Sequence, residues 1–241
     1  MGAAILFSGV NSRHCRPHKG GVEMPVSLLS QVPIFSALSA AELDSLAALT
    51  GRLQVKRGAV IVTEGTRADA LYVVATGRVR VFVTAEDGKE AVLAIEGPGA
   101  SFGEIALLDG DPRSASVAAM EPTELLVISR EAFRELLEQS PKTATAVIEA
   151  LAGMVRRLTD SVQSLALDSV YRRLVQRLEE HAVAEDNIRV VPQRMTHQLL
   201  ADMIGCSREM VSRIMSDLVK GGYVTVESDR LLINRKLPPQ W

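Results

Sequence analysis

Between Leu53 and Ser129 the chain is cut into short apolar runs by glycine turns, and few folds accommodate such a pattern. Val60-Ile61-Val62, Leu71-Tyr72-Val73-Val74, Val92-Leu93-Ala94-Ile95 and Leu125-Leu126-Val127-Ile128 are strand-length runs. Val79, Val81 and Val83 alternate with Arg80 and Phe82. Arg57-Gly58, Glu64-Gly65, Thr76-Gly77, Asp87-Gly88, Gly97-Pro98-Gly99 and Asp109-Gly110 punctuate them. Asp-Gly suits the positive backbone angles of a tight hairpin, so Asp87-Gly88 predicts one. Seven or eight such strands predict an all-β sandwich or barrel over this stretch. Ahead of it, Ser39 caps a helix starting at Ala40, with Glu42 completing a capping box. Leu43, Leu46, Ala47 and Leu49 share one face of that helix.

A different period takes over after the strands. A long helix starts near Arg130 or after Pro141. Ala144, Ile148, Leu151, Val155, Leu158, Val162 and Leu165 are spaced alternately four and three residues apart. That is a heptad seam. Its flanks, Arg156, Arg157, Asp160 and Gln163, are polar, so the seam is narrow. A helix lying on the β-domain is one reading. A second identical helix suits a narrow seam better than a broad sheet does, so a homodimer is expected.

After a hinge near Asp168-Ser169, Tyr171 to His181 reads as helical and Ile188 to Val191 as a strand. Residues 196–215 then predict a helix-turn-helix. The first helix packs Leu199, Leu200 and Met203. Ala201 is small where two helices cross, and Gly205 allows the turn. Ser207 caps the second helix, whose buried face is Val211, Ile214, Met215 and Leu218. That helix carries Arg208, Glu209 and Arg213. Arg grips guanine bidentately and Glu accepts from cytosine. Ser207, Ser212 and the N-terminal amides suit phosphate. The plain alternative is a Glu209–Arg213 surface ion pair. Residues 223–226 and 231–233 read as a β-hairpin wing. Charge supports the division: Ser169 to Trp241 carries 11 basic against 9 acidic residues, while Pro25 to Asp168 carries 13 against 19.

Composition excludes other classes. Hydrophobic residues are 47% and charged residues 23% of 241, so the chain is neither disordered nor collagen-like. It holds no run of 18 apolar residues, so no membrane-spanning helix is expected. Aromatics are 4%, which disfavours a stacking platform for single strands. Two cysteines, Cys15 and Cys206, fit a reducing cytoplasm and hold no disulfide framework or iron–sulfur cluster. Residues 1–24 lack the basic start of a signal peptide and read as a disordered or non-native extension, with Met24 a possible true start. His14, Cys15 and His18 there read as incidental rather than as a metal site. No nucleophile–base–orienter set or Walker loop is present, so the chain is not expected to be an enzyme.

The segment Phe102 to Ser116 interrupts the strands. Arg113 and Ser114 follow Pro112 and suit an anion, the guanidinium for charge, the hydroxyl and amides for orientation. Glu104 is an acceptor suited to a sugar hydroxyl and would repel an adjacent phosphate, so the two must serve opposite ends of one ligand. An internal Glu104–Arg113 salt bridge holding a loop is an equal alternative.

From about Pro25 the chain resembles the family of the cyclic-AMP receptor protein and the fumarate-nitrate regulator. Gly103-Glu104-Ile105-Ala-Leu-Leu and Pro112-Arg113-Ser114-Ala115 are similar to its phosphate-binding cassette, and Gly205-Cys-Ser-Arg208-Glu209 with Arg213 to its recognition helix. The resemblance implies an α+β chain: an extension (1–24), a jelly-roll-like cyclic-nucleotide-binding β-roll (25–140), a dimerisation helix (141–168) and a winged helix-turn-helix (169–241). It implies cyclic AMP as effector, with Arg113 and Ser114 on the cyclic phosphate and Glu104 on the ribose 2′-hydroxyl. Gly103, Ile105 and Ala115 complete that cassette. Arg208, Glu209 and Arg213 would read a palindrome with TGTGA-like half-sites. Double-stranded DNA, a second copy of the chain and RNA polymerase are the implied partners, with no membrane. The adenine-contacting Thr-Ser pair of the cyclic-AMP receptor falls on Leu158 and Thr159. Leu158 cannot hydrogen-bond a base; Thr159 can. The cysteine cluster of the fumarate-nitrate branch is absent, and no histidine lies between Lys19 and Glu180 to serve a haem. Two rivals stay open: the same regulator with another effector or none, and a nucleotide-sensing subunit that binds no DNA.

Overall fold

The computed structural model describes residues 15–17, 26–185, 188–192, 195–228 and 230–238. The chain forms two compact units, residues up to 89 with 93–154, and residues 90–92 with 155–241.

The first unit opens with strand β1 (Cys15–Pro17), helix α1 (Val26–Leu29), a 3-10 turn (Pro33–Phe35) and α2 (Ala40–Ala48). Strands β2 (Gly51–Val55), β3 (Val60–Val62), β4 (Ala70–Thr76), β5 (Val79–Thr84), β6 (Glu90–Glu96) and β7 (Ser101–Phe102) follow. Then come α3 (Ile105–Leu108), β8 (Ser116–Ala119), β9 (Thr123–Ser129) and α4 (Arg130–Gln139). One sheet runs β1-β2-β9-β4-β7 and the other β3-β8-β5-β6. The central pair β4 and β9 is antiparallel, with Leu71 opposite Ile128 and Tyr72 opposite Val127. Both strands are apolar on both faces, and side chains alternate between faces. Leu71, Val73, Leu126 and Ile128 pack with Leu29, Phe35, Leu43, Leu46 and Phe133 of the helices. Tyr72, Val74, Leu125 and Val127 pack with Ile61, Val79 and Val117 of the second sheet. An apolar run buried on both sides therefore marks the centre of the unit.

Local signals act as the sequence predicts at α2. Ser39 Oγ accepts from the Glu42 amide and Glu42 returns a bond to the Ser39 amide. Leu49 departs from expectation: the helix ends at Ala48, and Leu49, at the C-cap, is 54% exposed. The extension expected to be disordered contributes Cys15–Pro17, which pairs antiparallel with Leu53–Val55. The open edge of β2 offers unpaired amides and carbonyls that a short strand satisfies. The other residues of that extension, with His14 and His18, lie outside the described residues.

Both suggested helix starts exist. Ser129 caps α4, and α5 (Pro141–Leu167) follows Ser140. In the first unit Thr143 and Val147 are buried and Leu151 packs against the core. Further along α5, Val155, Leu158, Val162 and Leu165 are 49–65% exposed.

The second unit adds α6 (Val170–Glu180), β10 (Val183–Glu185), β11 (Ile188–Val191), α7 (His197–Ile204), α8 (Arg208–Lys220), β12 (Val224–Val226) and β13 (Leu231–Ile233). Its sheet runs β10-β11-β13-β12. The core joins Tyr171, Leu174 and Leu178 of α6 to Leu200, Ala201 and Ile204 of α7 and to Val211, Ile214, Met215 and Leu218 of α8. Ile204 takes the fully buried place expected for Leu199 and Met203, which stay half-buried. Among the described residues no helix is long and apolar enough to cross a membrane.

Candidate functional site

The first candidate site lies in the β7–β8 segment. Gly103 has φ +90°, and a Cβ there would collide with the Arg113 guanidinium. Only glycine adopts this angle without strain while leaving the guanidinium its space. Arg113 is 5% exposed. Its Nη1 donates to Gly103 O at 2.6 Å and its Nη2 to Ala70 O at 2.7 Å. The Asp69 carboxylate is 3.9 Å from Nη2. The guanidinium lies over the Tyr72 ring, and Tyr72 stacks on Phe102 at 5.3 Å between centroids. The main chain is pinned too: Arg113 N donates to Thr66 O and Gly65 N to Arg113 O, both at 2.8 Å. Burial pushes the guanidinium pKa down from its ordinary value, yet arginine stays charged in proteins.

Glu104 makes no ion pair with Arg113 among the described residues, so the loop-bracing salt bridge is not what holds this segment. Its Oε2 is buried with no hydrogen-bond partner. Burial first, and the Glu96 charge second, raise its carboxyl pKa; its own amide and Arg113 oppose the shift. A buried acceptor without a donor is costly and calls for a ligand hydroxyl. Ile105 and Ala115 are half-buried and Ser114 is exposed. The carbonyls that fix Arg113, and the aromatic pair beneath it, carry no signal in the side-chain pattern. Neither does Arg130, whose Nη2 donates to Ala68 O at 2.8 Å and to Ala106 O at 3.3 Å and so fastens α3. Thr159 belongs to the second unit; its Oγ1 donates to Val155 O at 2.9 Å on its own helix.

The second candidate site is the α7–α8 pair. Thr196 caps α7, Gly205 sits left-handed at φ 64°, and Ser207 Oγ accepts from the Met210 amide to cap α8. Ala201, fully buried, lets the helices approach. These features put Arg208, Glu209 and Arg213 on the exposed side of α8. Glu209 and Arg213 form no ion pair among the described residues; Arg213 Nη2 lies 3.0 Å from Met210 Sδ. Ser212 Oγ is 2.8 Å from His197 Nδ1, a contact that depends on the helix crossing and was invisible in the linear pattern. In the wing, Arg230 bonds Glu227 at 2.6 Å, and Asn234 Nδ2 donates to Thr225 Oγ1 at 2.9 Å. At the base, Arg173 Nε donates to Ile204 O and Nη1 to Asp168 O, both at 2.9 Å. Among the described residues no group of three His, Cys, Asp or Glu could hold a metal ion.

Two known domain patterns match. The cyclic nucleotide-binding domain matches residues 52–140. The Crp-like helix-turn-helix domain matches residues 172–236. The cyclic AMP receptor protein of Thermus thermophilus is 35% identical over 192 residues, covering 80% of this chain and 88% of that protein. The CRP-like cAMP-activated global transcriptional regulator of Mycobacterium tuberculosis is 28% identical over 214 residues, covering 86% and 94%. Among solved structures, the c-di-GMP responsive global regulator CLP of Xanthomonas campestris superposes with a TM-score of 0.72 at 25% identity, over 82% of this chain and all of that one.

Proposed function

Because the chain belongs to the Crp/Fnr family of transcriptional regulators, whose members are not enzymes, we propose that it is a homodimeric, sequence-specific DNA-binding regulator controlled by a cyclic nucleotide, cyclic AMP in the first place. The carrying observation is the pairing, in one segment, of a buried guanidinium with a buried carboxylate oxygen that lacks a donor. A cyclic nucleotide presents a phosphate to the first and a ribose hydroxyl to the second. Arg113 and Ser114 take the phosphate, Glu104 the 2′-hydroxyl, and Gly103, Ile105 and Ala115 close around them. The exposed seam of Val155, Leu158, Val162 and Leu165 supports pairing with a second copy. Arg208, Glu209 and Arg213 then read base edges in the major groove, at TGTGA-like half-sites, while Ser207 and Ser212 face phosphate. Ligand binding shifts the pair of recognition helices toward a separation of one DNA turn, about 34 Å. RNA polymerase is the partner through which such a regulator acts, and the cytoplasm its place of work.

A second reading keeps the DNA-binding regulator but changes the effector. One observation favours it: Leu158 is apolar, and the Thr159 hydroxyl already donates to its own helix. Calorimetry with cyclic AMP and cyclic GMP, combined with selection of bound duplexes from a random pool with and without each, tests the proposal. Heat of binding and a ligand-dependent palindrome are expected. No heat and no change in DNA affinity with either nucleotide would favour the second reading; no operator binding at all would refute both.

A further inference from the structure

Three consecutive carbonyls at the entry to β4 are held by two arginines. Arg130 donates to Ala68 O from Nη2 at 2.8 Å and from Nε at 3.3 Å. The Arg130 amide donates to Asp69 O at 2.9 Å. Arg113 Nη2 donates to Ala70 O at 2.7 Å. Each guanidinium also reaches across to the segment that carries Glu104. Arg113 Nη1 donates to Gly103 O at 2.6 Å, and Arg130 Nη2 donates to Ala106 O at 3.3 Å. Glu104 therefore stands between two carbonyls, each fastened by an arginine to the same short stretch of chain. We infer that Arg130 is a positioning residue for the ribose. Acting through α3, it holds the Glu104 carboxylate where that group meets the 2′-hydroxyl, and so sets a preference for ribose over deoxyribose. This rests on the cyclic-nucleotide reading of Glu104 and Arg113.

The need for such a tie follows from the size of α3. It is a single turn, Ile105–Leu108, and a helix that short does not hold its own position. The turn is built on Glu104 itself: the Leu107 and Leu108 amides both donate to Glu104 O at 3.0 Å. A shift of the turn therefore carries Glu104 with it. The Glu104 side chain has little of its own to fix it, because Oε2 is buried with no hydrogen-bond partner. Its placement comes from the main chain. The carbonyl of Ala106 is one of those that a one-turn helix leaves without an amide donor, and Arg130 supplies the donor. The Arg130 guanidinium bonds carbonyls in both directions, and among the described residues no carboxylate pairs with it. Its place is that of a brace between β4 and α3. Arg113 keeps its own bonds to Gly103 O and Ala70 O when Arg130 is removed, so the phosphate end of the site is left in place.

The test compares two nucleotides that differ by one hydroxyl. The full chain is titrated by calorimetry with cyclic AMP and with 2′-deoxy cyclic AMP. Losing one hydrogen bond to a charged group makes the parent bind the deoxy analogue about 10- to 100-fold more weakly. In Arg130→Met, which keeps an apolar stem and no donor, cyclic AMP affinity should fall by about that factor. The deoxy analogue should be bound nearly as before, so the ratio falls toward unity. Arg130→Lys keeps the cation but has one nitrogen in place of the fork and a shorter reach. It should hold Ala68 O, release Ala106 O and lose the ratio too, which separates the brace from charge alone and serves where the methionine variant does not fold. A merely structural residue would weaken both nucleotides together. Val79→Ala, at a fully buried position of β5, is the control: it should lower the thermal midpoint and keep the ratio. An Arg130 variant that folds and keeps the parent's ratio overturns the inference and leaves the cyclic-nucleotide reading standing. So does a Val79→Ala that loses the ratio, since selectivity would then track stability. A parent that binds both nucleotides equally removes the ribose role of Glu104 and the inference with it. A parent that binds neither ends the cyclic-nucleotide reading itself.

Discussion

Replacing Gly103 with alanine puts a methyl group where the Arg113 guanidinium now lies. Two costs follow and can be separated. A residue with a Cβ at φ +90° pays a backbone penalty of about 1–2 kcal/mol. The methyl also crowds Arg113 Nη1, with Arg113 Cζ at 3.2 Å and Ala70 O at 3.4 Å. The guanidinium cannot retreat without loosening its bonds to Gly103 O and Ala70 O. Losing one charge-assisted bond costs about 1.5–3 kcal/mol. Gly103→Ala should therefore destabilise the first unit by roughly 3–5 kcal/mol, lowering its thermal midpoint by on the order of 10 °C. Gly58→Ala is the internal control: its φ is +79°, but nothing lies within 4 Å of the added carbon. It should show the backbone cost alone. Thermal and denaturant melts of the full chain read both, and calorimetry with cyclic AMP should show binding lost only in Gly103→Ala. If the two variants melt together, or Gly103→Ala melts with the parent, the claim that this glycine exists to admit the guanidinium is wrong.

Other outcomes follow from the same geometry. Burial raises the Glu104 carboxyl above its ordinary 4.5, so the folded chain holds that proton in preference. The stability this confers is full below the unfolded pKa and is lost as pH rises through the folded one. Glu104→Gln abolishes the titration. Its denaturant midpoint should exceed the parent's at pH 7, the gap should narrow toward low pH, and nucleotide affinity should fall. Leu158→Glu puts a charge into the exposed seam. With about 1.5–3 kcal/mol lost per leucine side chain, self-association should weaken roughly 100-fold or more by sedimentation, and the secondary structure read by circular dichroism should be unchanged. Arg208→Ala should lose about 1–3 kcal/mol at a single base pair of the operator, seen in competition binding as relaxed preference at that position only.

What could be read from the linear chain was what depends on near neighbours or on a fixed period. The double-sided burial of Leu71 to Val74 and Leu125 to Ile128 follows from uninterrupted apolar runs. The Ser39, Ser207 and Gly205 signals are local, and the structure uses each of them. The buried face of α8, Val211, Ile214, Met215 and Leu218, is a plain helical period. Misses arose where tertiary pairing decides. Ser116–Ala119 forms β8 opposite β5, although a run of small residues gives no strand signal. Val183–Glu185 is a strand only because β11 offers it an edge. Ile204 displaces Met203 from the core because the turn at Gly205 brings it under α8. At the pocket, residue types alone left Glu104 and Arg113 free to pair. The main-chain carbonyls of Gly103 and Ala70, which claim the guanidinium instead, have no signature in sequence. The His197–Ser212 contact spans 15 residues and exists only through the crossing angle of two helices.

Arg173 joins two helix ends. It holds the carbonyl of Asp168, at the end of the long helix, and the carbonyl of Ile204, at the end of α7. Both are C-terminal helix ends, where the helix dipole is negative, and one cation draws them together. One side chain thus ties the C-terminal end of α5 to the C-terminal end of α7, so the two helix ends cannot part without breaking a charge-assisted bond.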